Sequence, residues 1–328
     1  MSAINLWGKS LLEAIDILKS KKSLLAFSHG VDSTALFYML VKENVEFDIA
    51  FVNYNTRTSS KDEEESTRNL ALKFNKTAYI KKLNFDLNLA NFEKKARDER
   101  YKFFNEICTK FGYKYLITAH QLNDMLEWFL MRISKGSGLA NAIGMNVIDK
   151  KENYTIIRPM LFTSRNEIED FLNQNSLKYF IDSSNLNTKF ERNYIRANFS
   201  DKFISEFESG VKQSFKFFLE DKNTLLSGEV IRKKELFIIE KTPNFMNLVD
   251  KVFKKFGIVL SQKQRVEAKK DSVISGKVVI SYKDDRVYIA PYQTPVMQKS
   301  FKEICRVKRV PRLIRGYVFL NQELLKEF

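Results

Sequence analysis

The chain has 328 residues, 44% of them apolar, which is enough for two packed domains and too much for a single small one. Its 55 lysines and arginines against 40 acidic residues leave a formal net charge of +15, pointing to a polyanionic partner, nucleic acid or a membrane surface, over an acidic small molecule; the plain alternative is a lysine-rich surface with no partner. There is no apolar run of about eighteen residues and no basic-then-apolar leader, so neither a membrane span nor export is expected and the cytoplasm is the default; Cys108 and Cys305 stand far apart and outside any CxxC pair, which argues against zinc, iron–sulfur and paired-thiol chemistry.

In chain order, a leading helix near residues 5–19 carries Leu11, Ala14, Ile15 and Leu18 on one face. Strands are predicted at 23–28, 46–53, 77–82, 114–118 and 154–158, each separated by a helical-period segment, the pattern of a doubly wound α/β domain. The acidic run at 61–66 suits a helix first turn, and Ser164 to Glu167 has the spacing of a capping box ahead of Ile168 and Phe171. Past residue 198 the alternation stops. Phenylalanine-rich helical stretches through Phe207, Phe215, Phe217 and Phe218 lead to a strand-like run at 231–240 and a helix near 245–256, the makings of a second, smaller α+β domain. The expected division is a first domain over 1–200, an α+β domain over 201–290 in contact with the polyanion, and a basic tail over 291–328. Within that tail, residues 299–315 carry seven basic residues and the single acid Glu303; the run is either a solvated face or a phosphate-contacting one.

Residues 23–34, SLLAFSHGVDST, run from a buried strand through a small polar loop into a helix. That places Ser28, His29, Gly30, Asp32 and Ser33 at a strand's carboxyl end and a helix's amino end, where unpaired N–H groups and the helix dipole attract phosphate; the simpler reading is that Asp32, Ser33 or Thr34 only caps the helix. The loop lacks the lysine of GxxxxGK[ST] and is not GxGxxG. The only two histidines, His29 and His120, both fall just past predicted strands. After the fourth strand, residues 119–127 (AHQLNDMLE) bring Asn123, Asp124 and Glu127 onto one helix face, able to hold Mg²⁺ or orient an amine, or simply to face solvent.

The loop resembles the SGGxDS loop of the PP-loop ATP pyrophosphatases through Ser28, Gly30, Asp32 and Ser33, with His29 in place of the first glycine. TAHQLNDMLE followed by KGSGL is similar to the TAHHxDDQxET and RGSG block of the tRNA(Ile)-lysidine synthetases, with Asn123 where that family has the first of two aspartates. Three further blocks agree in order: Glu93, Ala96, Arg97, Arg100, Tyr101 and Phe104; Arg158 and Pro159; and Asp182, Ser184, Asn185, Arg192, Asn193 and Arg196, with Asn187 where an acid is common. The loop at 51–59 lacks the family's histidines, leaving Asn53, Tyr54 or Asn55 to fill that part of a nucleotide pocket.

This resemblance covers roughly the first 200 residues. It implies a doubly wound, mainly parallel, Rossmann-like sheet of PP-loop type beside the smaller α+β domain. It implies a ligase that joins free lysine to C2 of the wobble cytidine of CAU-anticodon tRNA(Ile) through an adenylated cytidine, releasing AMP and pyrophosphate. On the matching positions, ATP is expected at Ala26, Phe27, Ser28, His29, Gly30, Asp32, Ser33, Asn53 and Arg97, with Mg²⁺ on Asp32 and Asp124. Catalytic roles fall to Asp32, Asp124, Glu127 and His120, and contacts to tRNA or lysine to Glu127, Arg100, Arg158, Arg192 and Arg196. The rival expectations are another PP-loop tRNA-modifying enzyme, such as a thiolase, which would normally need catalytic cysteines, or a non-catalytic RNA-binding protein with a decayed nucleotide site. No obligate protein partner is evident, and a homodimer stays open.

Overall fold

A computed structural model describes residues 9–55, 60–83, 92–181 and 190–328. Residues 5–8 of the leading helix, 56–59 of the loop after the second strand, and Asp182, Ser184, Asn185 and Asn187 lie outside the described residues, as does the side chain of Glu93. The chain divides into two compact units, 1–219 and 220–328.

The first unit opens with helix α1 (Lys9–Leu18) and strand β1 (Ser23–Phe27), then α2 (Val31–Lys42), β2 (Phe47–Asn53), α3 (Ser60–Lys73), β3 (Ala78–Lys82), α4 (Phe92–Phe111), β4 (Tyr115–Ile117) and α5 (Leu122–Ile133). It continues with α6 (Leu139–Ala142), β5 (Ile148–Lys150), β6 (Thr155–Ile157), α7 (Arg165–Gln174) and α8 (Glu191–Ile195), which passes through a π-turn at Arg196–Ser200 into α9 (Asp201–Leu225). The six strands order as β3-β2-β1-β4-β6-β5, parallel except for β5. All five strands expected from periodicity are present, and the fold is the α/β, mainly parallel one anticipated.

Side-chain alternation explains how this sheet is covered. Leu25, Phe27, Ile49 and Phe51 point to one face and pack with Leu11, Ile15 and Leu18 of α1, Phe37 and Leu40 of α2, and Ile168 and Leu172 of α7. Leu24, Ala50, Val52 and Leu116 point to the other, against Phe103, Phe104 and Cys108 of α4. The chain winds outward from β1 to β3 and then returns to place β4 on the opposite side of β1. The crevice at the carboxyl ends of β1 and β4 is therefore the topological switch point, where open parallel sheets bind ligands. Edge strand β5 escaped the periodicity reading because it is three residues long and pairs antiparallel to β6.

The second unit forms a five-stranded antiparallel sheet, β7-β8-β11-β10-β9, from β7 (Val230–Lys233), β8 (Leu236–Glu240), β9 (Ser272–Ile274), β10 (Val278–Lys283) and β11 (Arg286–Pro291). Helices α10 (Phe245–Lys255) and α11 (Gln262–Glu267) lie in chain order between β8 and β9, and Leu248, Val249, Val252 and Phe253 of α10 pack on Phe237, Ile239 and Ile280. Helices α12 (Lys299–Val307) and α13 (Arg315–Leu320) cover the other face: Phe301, Cys305, Ile314 and Val318 bury against Leu236, Ile238, Val279 and Tyr288. The segment expected as a separate basic tail is thus one layer of this unit's core, and the division falls after Leu219 because Ile204, Val211 and Phe215 of α9 pack with Leu122, Met125 and Leu161 of the first unit. One close approach in this layer is specific to glycine: a Cβ on Gly316 would lie 1.8 Å from the Gln293 carbonyl oxygen. Gly316→Ala is expected to destabilise the second unit by about 1–3 kcal/mol or more, read as a lowered melting temperature.

Candidate active site

The loop after β1 closes on itself. The Ser28 N–H donates to Ser33 Oγ (3.2 Å), the two serine hydroxyl oxygens are 3.1 Å apart, and Ser33 Oγ donates to the Gly30 carbonyl (3.2 Å). Gly30, not Asp32, Ser33 or Thr34, is the N-cap of α2, and it supplies no side-chain acceptor. The first-turn N–H groups of a twelve-residue helix therefore face the crevice without a side-chain cap, the arrangement that binds phosphate. His29 sits at φ 59°, the left-handed backbone that a glycine would adopt freely. Its ring turns away from the loop: Nε2 lies 2.9 Å from Ser66 Oγ of α3, and the ring packs edge-on against Phe180 and tilted against Phe27. Burial lowers its pKa, so it supplies neutral packing in place of an imidazolium near phosphate.

The loop after β4 brings up a second set of groups. Gln121 caps α5 in a reciprocal box with Asp124, whose Oδ2 accepts the Gln121 N–H at 3.0 Å. Asp124 Oδ1 accepts from an Arg192 terminal nitrogen. Glu127, one turn on and fully buried, accepts from Arg192 Nε at 2.6 Å and from Arg196 Nε at 2.6 Å. Burial, the largest single influence, pushes the Asp124 carboxyl up, but the Arg192 charge together with His120, the Gln121 N–H and Arg196 outweighs it, and the carboxyl sits below its ordinary value. Burial pulls His120 down to about 3 against the attraction of Asp124, so its ring is neutral, with Nδ1 2.9 Å from Thr118 Oγ1.

Both loops open on one cleft of about 640 Å³, within the range of small-molecule sites. Ala26, Phe27, Ser28, Gly30, Asp32 and Ser33, six of the residues expected to meet a nucleotide, are among those that line it. Arg97, Arg100, His120, Asp124, Arg192 and Arg196 line it as well. Four expected site residues are placed elsewhere. His29 points toward α3. Asn53 is spent holding Ser60 and Glu64 (3.0 and 2.9 Å), and its neighbours Val52 and Tyr54 reach the cleft in its place. Glu127 lies behind the arginines. Arg158 is buried, donating to Asp149 (2.6 Å) and the Asn146 carbonyl (2.7 Å), where it anchors the β5 edge.

Asn123, expected to share the acidic face, instead ties helices together: its Nδ2 donates to Asp201 (2.7 Å) and its Oδ1 accepts the Arg165 N–H (3.2 Å). Arg165 was not anticipated. It is the first residue of α7, and its guanidinium reaches 3.5 Å from Asp32 Oδ2 in the cleft. The capping box at Ser164 was the signal for it, since that box sets a helix start on the same carboxyl edge as the loops.

Among the described residues, it is Asp32 that has a feature suited to a cation. Its Oδ1 is buried with no hydrogen-bond partner, and burial, against the pull of Arg165, raises the carboxyl to about 7. A hard-oxygen cation with substrate phosphates fits that oxygen. Asp124 fits less well, because both its oxygens are engaged, and among the described residues no group of three or more histidine, cysteine or acidic side chains could hold a metal. Cys108 is buried on α4 with its thiol pushed up to about 12, and Cys305 is buried in the second unit, so neither offers a thiolate to the cleft.

Residues 6–202 match a PP-loop domain family. The chain is 46% identical over 309 residues to the tRNA(Ile)-lysidine synthase of Campylobacter jejuni, covering 94% of this chain and 95% of that protein. It is 37% identical over 320 residues to the tRNA(Ile)-lysidine synthase of Helicobacter pylori, covering 95% and 93%. Among solved structures, the U34-tRNA thiolase NcsA from Methanococcus maripaludis superposes with a TM-score of 0.55 at 16% identity, over 67% of this chain and 78% of that one, a likeness of fold alone. No described helix is long and apolar enough to cross a membrane.

Proposed function

Because the chain belongs to the tRNA(Ile)-lysidine synthase family, within the PP-loop enzymes, we infer that its cleft binds ATP over the Ser28–Ser33 loop and joins free lysine to the wobble cytidine of a CAU-anticodon tRNA(Ile). The observation that carries this reading is the meeting, at one sheet switch point, of an uncapped helix start, an unpartnered Asp32 oxygen and an arginine–carboxylate cluster. The reaction is an ATP-dependent ligation, and it belongs in the cytoplasm with its tRNA.

In the reaction the cytosine O2 attacks the α-phosphorus of ATP and pyrophosphate leaves. The lysine ε-amine then adds at C2, gives up a proton and displaces AMP, which carries the former O2 away. The α2 N–H groups and Ser28 hold phosphate oxygens, and Arg97 and Arg100, in the same cleft, offset the charge of the departing pyrophosphate. A bound Mg²⁺ would sit on Asp32 and the phosphates, supplying charge neutralisation. His120, neutral, and Asp124 line the cleft and are the groups we assign to accept the amine's proton. Arg192 and Arg196 hold phosphates flanking the extruded base. The test is release of AMP that requires both lysine and a CAU-anticodon tRNA, with the tRNA gaining the mass of lysine less one water. Thiolation is disfavoured by the buried positions of both cysteines.

We also assign tRNA contact to the second unit. Arg232, Lys251 and Lys255 are exposed, and Arg232 and Lys255 lie 5.6 and 5.0 Å from the Phe237 ring centre. Partial burial and then the Arg232 and Lys251 charges lower the Lys255 pKa, a mutual repulsion that a phosphate would relieve. In the tail, by contrast, Arg306 is already held by Glu303 at 2.6 Å. Replacing Arg232, Lys251 and Lys255 by alanine is expected to weaken full-length tRNA binding and to reduce its log–log salt slope by up to about three.

A further inference from the structure

Helices α8 and α9 expose a row of aromatic rings that the fold does not use. Tyr194, Phe199 and Phe203 are each 50% exposed and Phe207 53%, while the opposite face of the same helices buries Ile195, Ile204, Val211 and Phe215. Phenylalanines lined up on a solvent face are unfavourable in an isolated monomer and mark a binding surface.

The backbone groups them as two ring pairs, Tyr194 with Phe199 and Phe203 with Phe207, the second ending at a kink of α9 at Phe207. A strict α-helix would rotate Phe199, five residues beyond Tyr194, off the row. The π-turn at Arg196–Ser200 absorbs that extra residue and brings the Tyr194 and Phe199 rings to 6.0 Å; Phe203 and Phe207 follow at four-residue steps, 5.0 Å apart. The row starts where the cleft ends. Arg192 and Arg196, which line the cleft, lie on the same helical segment as Tyr194 and Phe199.

We propose that Tyr194, Phe199, Phe203 and Phe207 form a stacking platform for the unpaired anticodon-loop bases next to the cytidine in the cleft. The proposal rests on the tRNA-modifying reading above. A base drawn out of its stack leaves neighbours whose faces are open, and aromatic side chains recover that stacking without reading sequence. Continuity with the cleft selects RNA as the occupant over a second copy of the chain. The flanking Arg192 and Lys202 supply cations for the intervening phosphates.

The test uses the full chain and a CAU anticodon stem-loop carrying 2-aminopurine beside the wobble cytidine. Phe203→Ala/Phe207→Ala is expected to bind it about tenfold more weakly, to lose the quenching of 2-aminopurine fluorescence and to keep the salt slope and melting temperature of the wild type. Phe203→Tyr/Phe207→Tyr is expected to restore affinity to within about twofold. Unchanged affinity and quenching in the alanine variant overturn the platform, as does a wild-type dimer that the alanine variant dissociates while RNA affinity holds. Wild-type protein with no affinity for the stem-loop overturns the tRNA-modifying reading together with the platform.

Discussion

Asp32→Asn is expected to lower lysine- and tRNA-dependent AMP release by about a thousandfold while leaving tRNA affinity within about twofold, measured by AMP release and by filter binding. The substitution keeps the shape of the side chain and removes its charge. Asp32 stands in the first turn of α2, beside the loop read as the phosphate site, with one carboxylate oxygen unpartnered and Arg165 3.5 Å from the other. A preorganised charge at a phosphoryl centre contributes several kcal/mol to the transition state, and none of it is needed to hold RNA. Activity close to that of the wild type would remove the loop from the mechanism.

The same variant makes a stability prediction of opposite sign. The folded carboxyl has its pKa raised to about 7, against about 3.9 in an unfolded chain. Between those values the unfolded chain releases the proton and the folded one keeps it, so wild-type stability falls as pH rises through that window. Without ligands, Asp32→Asn should therefore melt above the wild type at pH 8, and the gap should close as pH approaches 4. That gain on loss of charge is what the cation proposed at Asp32 would offset.

How far the sequence reached depended on the kind of interaction. The strands were legible because a sheet covered on both faces requires continuous apolar runs, as in Leu24–Phe27 of β1 and Ile49–Val52 of β2. The cleft was legible where function and local structure share one signal, as in Ser28 to Ser33. The sequence did not show how side chains with several partners would be used. Asn53 and Arg158 were read as ligand contacts, yet the structure commits the first to α3 and the second to Asp149, partners about ten residues away along the chain that only the folded backbone brings within hydrogen-bond distance. Arg165 was hidden for the converse reason: its local role as the first residue after a helix cap says nothing of Asp32, more than a hundred residues earlier. The basic tail packs into the second unit because Phe301, Cys305 and Val318, spaced among its charges, bury against the sheet, and a run dense in lysine and arginine does not show on its own which of its apolar residues face inward.

Glu127→Gln carries the second large effect, and it separates two roles for one carboxylate. Read from its place on α5, Glu127 would hold the ammonium of lysine. In the structure its side chain is fully buried and both oxygens accept from Arg192 and Arg196, the two arginines that shape the cleft wall. The Arg196 guanidinium, disfavoured by burial, is kept charged by this carboxylate, its pKa raised through the Glu127 hydrogen bond. Removing one partner of a buried ion pair leaves the other charge uncompensated, typically at about 3–5 kcal/mol. Glu127→Gln should thus lower the melting temperature by several degrees. It should cut kcat by about a hundredfold and weaken binding of the anticodon stem-loop, as Arg192 and Arg196 lose their orientation. The KM for lysine should stay within about threefold of wild type, because Glu127 acts through the arginines. A variant whose lysine KM rises a hundredfold with stem-loop affinity intact would return Glu127 to direct contact with the nucleophile, and would require both arginines to swing aside before lysine binds.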